Sequence, residues 1–174
     1  MKMINKLRLL WGFLCIFIVV PGTSQTQPEA YRLYDGKGRV VDYDQLVKTI
    51  AKVDVVFIGE IHNCAITHWL ELKLLDSLYK IHGKKLKVGM EMFESDNQLV
   101  LDEYLHGQIT GDRFEEEMRL WPNYSTDYAS LISYARDHNI PIVATNIPRR
   151  YATAVKEHGL SYLDSFSIEA KAYM

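Results

Sequence analysis

Cysteine is nearly absent: the chain has two in 174 residues, too few for a disulfide scaffold. Proline and glycine number only five and ten, which excludes collagen-like and low-complexity architectures. Neither sign of charge dominates, with 20 basic against 22 acidic side chains and a formal net charge of −2. No basic field is therefore available to wrap a nucleic acid. Long hydrophobic runs are missing as well. The longest, Leu9 to Val20, has 12 residues and is short for a bilayer span. What is present is 48% hydrophobic and 11% aromatic residues, an ordinary globular composition that fits one domain.

The short apolar run has a context. Lys2, Lys6 and Arg8 precede it, and Pro21-Gly22-Thr23-Ser24 follows, with small residues at Gly22 and Ser24. That is the pattern of a secretory signal peptide over residues 1–24, cleaved before Gln25. Cys15 lies inside the run behind the bulky Leu14, which argues against processing to a lipid anchor. The expected product is exported, to the periplasm or cell envelope. After cleavage 17 basic residues face 22 acidic ones, net −5, and Cys64 is the remaining thiol. Residues 25–174 are expected to form a single domain that needs no staple.

Along that domain, Tyr31 to Val41 reads as a hairpin turning at Asp35-Gly36. Asp42 or Asp44 can cap a helix running to Ile50. The nearly continuous apolar run Val53–Gly59 predicts a strand buried on both faces. Ile66, Trp69, Leu70, Leu74, Leu78 and Ile81 recur at helical spacing, stopped by His82-Gly83. A second strand is expected over Leu86–Phe93 and a third over Ile140–Thr145. Helices are expected over Asn97–His106, over Asp112–Leu120, from Thr126 or Asp127 to His138, and over Arg149–His158. Strands alternating with helices predict an α/β fold, a parallel-sheet core with helical crossovers. The chain ends in a helix-like stretch, Ile168 to Met174, with no stop signal. This domain is expected to be the N-terminal part of a larger one.

Parallel sheets gather function beyond the carboxyl ends of their strands. On these assignments, Glu60, His62, Glu91, Asn146 and Arg149 meet along one edge. His82, His106, His138 and His158 each precede Gly or Asn at a predicted helix end, where an imidazole can satisfy terminal carbonyls. His62 and His68 have no such structural duty and stand as functional candidates, including as metal ligands. Cys64 continues the alternating Glu60, His62 row, but Glu-x-His-x-Cys is no standard zinc spacing and a small buried hydrophobe is the better reading. The tyrosines around Trp121-Pro122-Asn123-Tyr124 fit a core cluster better than a slot for a flat ligand.

Five segments in order carry a resemblance: Val-Val-Phe-Ile-Gly-Glu-Ile-His at 55–62, Gly-Met-Glu-Met-Phe at 89–93, Leu-Asp-Glu-Tyr-Leu-His-Gly at 101–107, Trp-Pro-Asn-Tyr with Asp-Tyr-Ala-Ser-Leu-Ile at 121–132, and Ala-Thr-Asn-Ile-Pro-Arg at 144–149. Together they resemble the ChaN-type haem-binding uptake family, of the superfamily shared with Tiki metalloproteases and erythromycin esterases. The resemblance runs from about residue 31 to the end. It implies an exported or surface haem-binding protein in iron acquisition, working as a homodimer with stacked haems and an outer-membrane or surface uptake system. It also implies a tyrosine on iron, with Tyr104, Tyr124 and Tyr128 at matching positions, and a polar site of Glu60, His62, Glu91, Asn146 and Arg149. The family is typically lipid-anchored, and in that respect this chain departs from it.

A haem carrier needs an apolar slot, cations for the propionates and a ligand for iron. Arg149 and Arg150, at a predicted helix start, are the propionate candidates. The alternative is an esterase or metalloprotease-type hydrolase, with Glu60 or Glu91 as base, His62 as proton carrier, Arg149 as clamp, and a divalent metal such as zinc on His62 and His68. A binding protein rather than an enzyme is the expectation.

Overall fold

The computed structural model describes residues 29–174; the signal-peptide reading of residues 1–24 lies outside them. The hairpin forms as expected, pairing β1 (Leu33–Tyr34) antiparallel with β2 (Val40–Val41). Its turn is held by the Asp35 carboxylate, which accepts from the backbone N–H groups of Lys37 and Arg39, both at 2.9 Å. Asp42 then caps α1 (Tyr43–Ile50) in a reciprocal capping box with Gln45, satisfying donors that the first turn leaves free.

The predicted strand at Val53–Gly59 is not a strand in the structure. Val53, Val55, Phe57 and Ile58 are exposed, Phe57 at 96%. A strand needs a partner for its backbone groups, and no described segment pairs with this one. Among the described residues the parallel sheet therefore has two strands rather than three.

The long helix α2 (Ala65–His82) follows and ends at Gly83, whose φ of 56° suits glycine. Its buried residues include His68, Leu75 and Leu78, whereas Ile66, Trp69 and Ile81 from the expected apolar stripe are exposed. Next come β3 (Val88–Glu94), α3 (Gln98–Leu105) and α4 (Gly111–Glu117). The segment expected to be capped at Thr126 or Asp127 opens instead with a wide π-helical turn, Tyr124–Tyr128, that runs into α5 (Ala129–Asp137). β4 (Ile142–Asn146) pairs parallel with β3 from Val88↔Ile142 to Glu94↔Asn146, with an irregularity after Met90. α6 (Arg149–His158) is closed by Gly159, and the short α7 (Ile168–Lys171) is capped by Ser167. The parallel pair joined through helices bears out the α/β expectation.

The core lies where α3, α4, α5 and the Tyr124–Tyr128 turn cover the sheet. Leu101, Phe114, Ile132 and Ala135 are fully buried, and Phe93, Tyr128, Ile140 and Ile142 nearly so. Phe114 stacks on Tyr104 at 4.3 Å between ring centroids and meets Phe93 and Tyr124 at 6.1 and 6.0 Å. The edge of β4 away from β3 is closed by a side chain: the Gln98 amide donates to the Ile142 carbonyl at 2.9 Å and accepts from the Ala144 N–H at 2.7 Å. Among the described residues, no helix is long and apolar enough to cross a membrane.

Candidate functional site

The Gly59-Glu60-Ile61-His62 segment leads into α2, and the site is built where it meets the helix's first turns. A single atom organises it. The His62 carbonyl accepts from Nε2 of His68 at 3.1 Å and from the Asn123 side chain at 2.6 Å. The loop is thereby tied both to α2 and to the segment before the π-helical turn. Asn123 also donates to Asp127 at 2.7 Å, and that carboxylate stands 3.8 Å from His68 Nε2.

On the other side of the His68 ring, Nδ1 lies 3.2 Å from Glu60 Oε2 and 3.3 Å from Glu71 Oε2. Glu71 is three residues along α2 from His68, which puts both on one helix face. Glu60 receives two further donors: the Tyr128 hydroxyl at 2.6 Å and His62 Nδ1 at 2.8 Å. Tyr128 also packs edge-on against the His68 ring, with centroids 4.7 Å apart. The side chains of His68, Glu60 and Glu71 are 3%, 13% and 11% exposed.

These contacts set the ionisation of the group. Burial pushes the Glu71 carboxyl up to about 7, reinforced by the charge of Glu60 beside it. Burial alone would raise Glu60 too, but the hydrogen bonds from Tyr128 and His62 hold it below the usual carboxylate range. For His68, burial disfavours the cation; the His62 carbonyl and the two carboxylates outweigh it and raise the pKa. Tyr128 is held well above the ordinary phenol value by burial and by Glu60, and Tyr124 by burial.

Glu71 has a measurable consequence. Its folded-state pKa lies above the unfolded value, so between about pH 4.5 and 7 the folded protein binds more protons than the unfolded chain. This group's contribution to stability falls as pH rises through that window. With divalent cations chelated, Glu71→Gln is expected to gain stability over the parent more at pH 8 than at pH 5. Urea unfolding at the two pH values checks it, and an equal difference at both would contradict the assignment.

Of the residues expected from sequence, the structure brings Glu60, His62, His68 and Tyr128 together. It does not bring Glu91 or Arg149 to them by any contact: Glu91 lies in mid-β3 on an exposed position, and Arg149 is exposed at the start of α6. Asn146 ends β4 opposite Glu94. Arg150 is engaged by Asp96 and lies over the Tyr151 ring, 4.4 Å from its centroid. The carboxyl ends of the two strands thus carry an ion network of Glu94, Asp96, Arg119 and Arg150, in place of the expected five-residue edge. Tyr104 and Tyr124 are in the core beside Phe114. Cys64 precedes the first turn of α2 and is no member of the Glu60, His68, Glu71 group. His106 and His138 serve their helix ends as expected, donating to the carbonyls of Asp102 at 2.7 Å and Tyr134 at 2.8 Å.

Three members escaped the sequence reading: Glu71, Asn123 and Asp127. For Glu71 a signal existed, since His68, Glu71, Leu75 and Leu78 share one face of α2. A His–Glu pair sharing a face with buried leucines marks a polar site inside an apolar contact. Asn123 and Asp127 carried no comparable signal.

The two-strand parallel pair and the buried group of Glu60, His68, Glu71 and Tyr128 at the head of α2 define an α/β domain with a polar site. Comparison with known proteins makes the assignment specific. Residues 46–174 match the family described as haem-binding uptake, Tiki superfamily, ChaN, and the chain belongs to that family. Its fold is similar to that of the solved structure described as cofacial heme binding to ChaN of Campylobacter jejuni, with a TM-score of 0.61 and 16% identity over 70% of this chain and 50% of that one. It is also 26% identical over 95 residues to Protein RETICULATA-RELATED 5, chloroplastic, of Arabidopsis thaliana, covering 52% of this chain and 13% of that protein. The chain therefore spans half the length of the Campylobacter chain and about an eighth of the Arabidopsis protein.

Proposed function

We propose that this protein is an exported haem-binding protein of haem and iron uptake, and that haem docks on the loop preceding α2. Membership of the haem-binding uptake family over residues 46–174 carries this reading. The local chemistry supports it. His62 donates from Nδ1 to Glu60, which fixes its tautomer and leaves Nε2 with a free lone pair. Its side chain is 58% exposed, and its ring is braced edge-on by Trp121 at 4.8 Å. Phe57, Ile58 and Ile61, all exposed, supply apolar surface in the same loop. Haem, once bound, brings the iron; the protein supplies a positioned donor, an apolar face and a cation. Arg149, exposed at the start of α6, remains the propionate candidate.

The iron donor we favour is His62. The resemblance implies tyrosine, yet Tyr104, Tyr124 and Tyr128 are 8%, 7% and 1% exposed, and Tyr128 spends its hydroxyl proton on Glu60. Titration of hemin into the protein is expected to give a saturable Soret shift. His62→Asn should abolish or move that band, while Tyr104→Phe, Tyr124→Phe and Tyr128→Phe leave it in place. Loss of the band in one Tyr→Phe variant would return the ligand to that tyrosine. A flat titration of folded protein would sink haem binding altogether. A cofacial homodimer predicts that the scattering mass doubles as hemin saturates. The hydrolase alternative rests on the Glu60–His62 pair. An esterase or peptidase activity lost in Glu60→Gln, with no Soret shift in the parent, would favour it.

A further inference from the structure

We propose that Glu60, His68 and Glu71 form a binding site for one first-row divalent cation of the zinc type, behind the proposed haem donor His62, which shares Glu60 with it. One donor atom from each of the three lies within 4.8 Å of the others. The decisive feature is the orientation of His68. Its Nε2 faces the His62 carbonyl at 3.1 Å. A carbonyl only accepts, so Nε2 carries the ring proton. In the neutral ring Nδ1 is then a bare lone pair, aimed at two carboxylate oxygens 3.2 and 3.3 Å away. Once Glu71 and Nδ1 have both lost their protons, three acceptor atoms converge here, in a place from which water is largely excluded. Such a convergence requires a positive centre.

A proton can fill that role, and a metal ion can fill it better. Donor atoms bound at about 2.0–2.1 Å around a tetrahedral ion sit roughly 3.3–3.4 Å apart, close to both separations at Nδ1. One imidazole with two carboxylates suits zinc, cobalt or iron(II) over magnesium or calcium, which take oxygen donors. The surroundings match what metal-binding groups need. The far nitrogen of the imidazole donates to a backbone carbonyl, and Glu60 is oriented by the Tyr128 hydroxyl and His62. Asp127, 3.8 Å from Nε2, adds negative potential behind the ring. Cys64 is outside the set, so no thiolate is involved.

The test is equilibrium dialysis of the purified protein against Zn2+, with Co2+ as a spectroscopic probe. One ion per chain is expected. The Co2+ form should show d–d bands without thiolate charge transfer, and Cys64→Ser should leave it unchanged. Glu71→Gln keeps the side-chain shape and should weaken Zn2+ binding by about a hundredfold, as should Glu60→Gln. Hemin titration of Glu71→Gln should match the parent, so failure of the haem reading and failure of the metal site are separate results. The proposal is overturned if folded protein binds no Zn2+, if binding survives Glu71→Gln unchanged, or if the Co2+ spectrum carries thiolate bands lost in Cys64→Ser. Thermal melts in chelator confirm that each variant is folded.

Discussion

Phe114→Ala is expected to lower the unfolding free energy by about 3–5 kcal/mol, the cost of removing a buried aromatic and leaving its cavity. Phe114 has no exposed surface and sits between three other aromatic rings: Tyr104, Phe93 and Tyr124. Those rings come from α3, β3 and the π-helical turn, so the surroundings cannot collapse into the gap without moving three elements. Urea unfolding followed by tryptophan fluorescence would read the effect as a lower midpoint at unchanged slope. A loss below about 1 kcal/mol would mean that the α4 helix does not pack as described. Phe114→Leu, which keeps most of the volume, should recover a large part of the loss.

The second large effect is expected at Gln98. Its amide satisfies one carbonyl and one N–H of β4, at Ile142 and Ala144. Gln98→Ala leaves both backbone groups without a protein partner, and partial access of water limits the cost to about 2 kcal/mol. Gln98→Glu is the informative control. It retains an acceptor for the Ala144 N–H and places a second acceptor against the Ile142 carbonyl, so it should destabilise above pH 5 and recover as the carboxyl protonates. Equal stability of the parent and Gln98→Ala would show that these two bonds contribute nothing net.

How much of this was legible in the sequence depends on where each signal lies. The hairpin, the Asp42 cap, the Gly83 and Gly159 stops and the strands β3 and β4 are all readable, because each is dictated by local signals: a turn residue, a capping side chain, a short apolar run after a helix stop or the β-branched Ile142-Val143. The run at Val53–Gly59 reads as a strand by the same logic, yet it has no pairing partner among the described residues. A strand is a relation between segments, and periodicity sees only one of them. That error carried into the site. With three strands assumed, Glu91 and Arg149 were expected beside Glu60; with two, the contacts of Glu60 are instead to Tyr128, His62 and His68. The burial of Tyr104, Tyr124 and Tyr128 agrees with the compositional preference for a core cluster. Their resemblance to haem-binding positions says nothing about which side of the ring faces water.

The Gln98 side chain has a consequence for how this domain can associate. A two-stranded sheet ordinarily has two lateral edges, each able to template another strand. Here one edge is chemically terminated, because the groups of β4 at Ile142 and Ala144 are already spoken for by an amide from the same chain. Growth of the sheet is left with one direction, outward from β3. Any strand recruited later, from this chain or from a second copy, joins on that side. Pairing of two copies through β3 would leave a Gln98-capped β4 edge at each end, so growth along this sheet would stop at two chains.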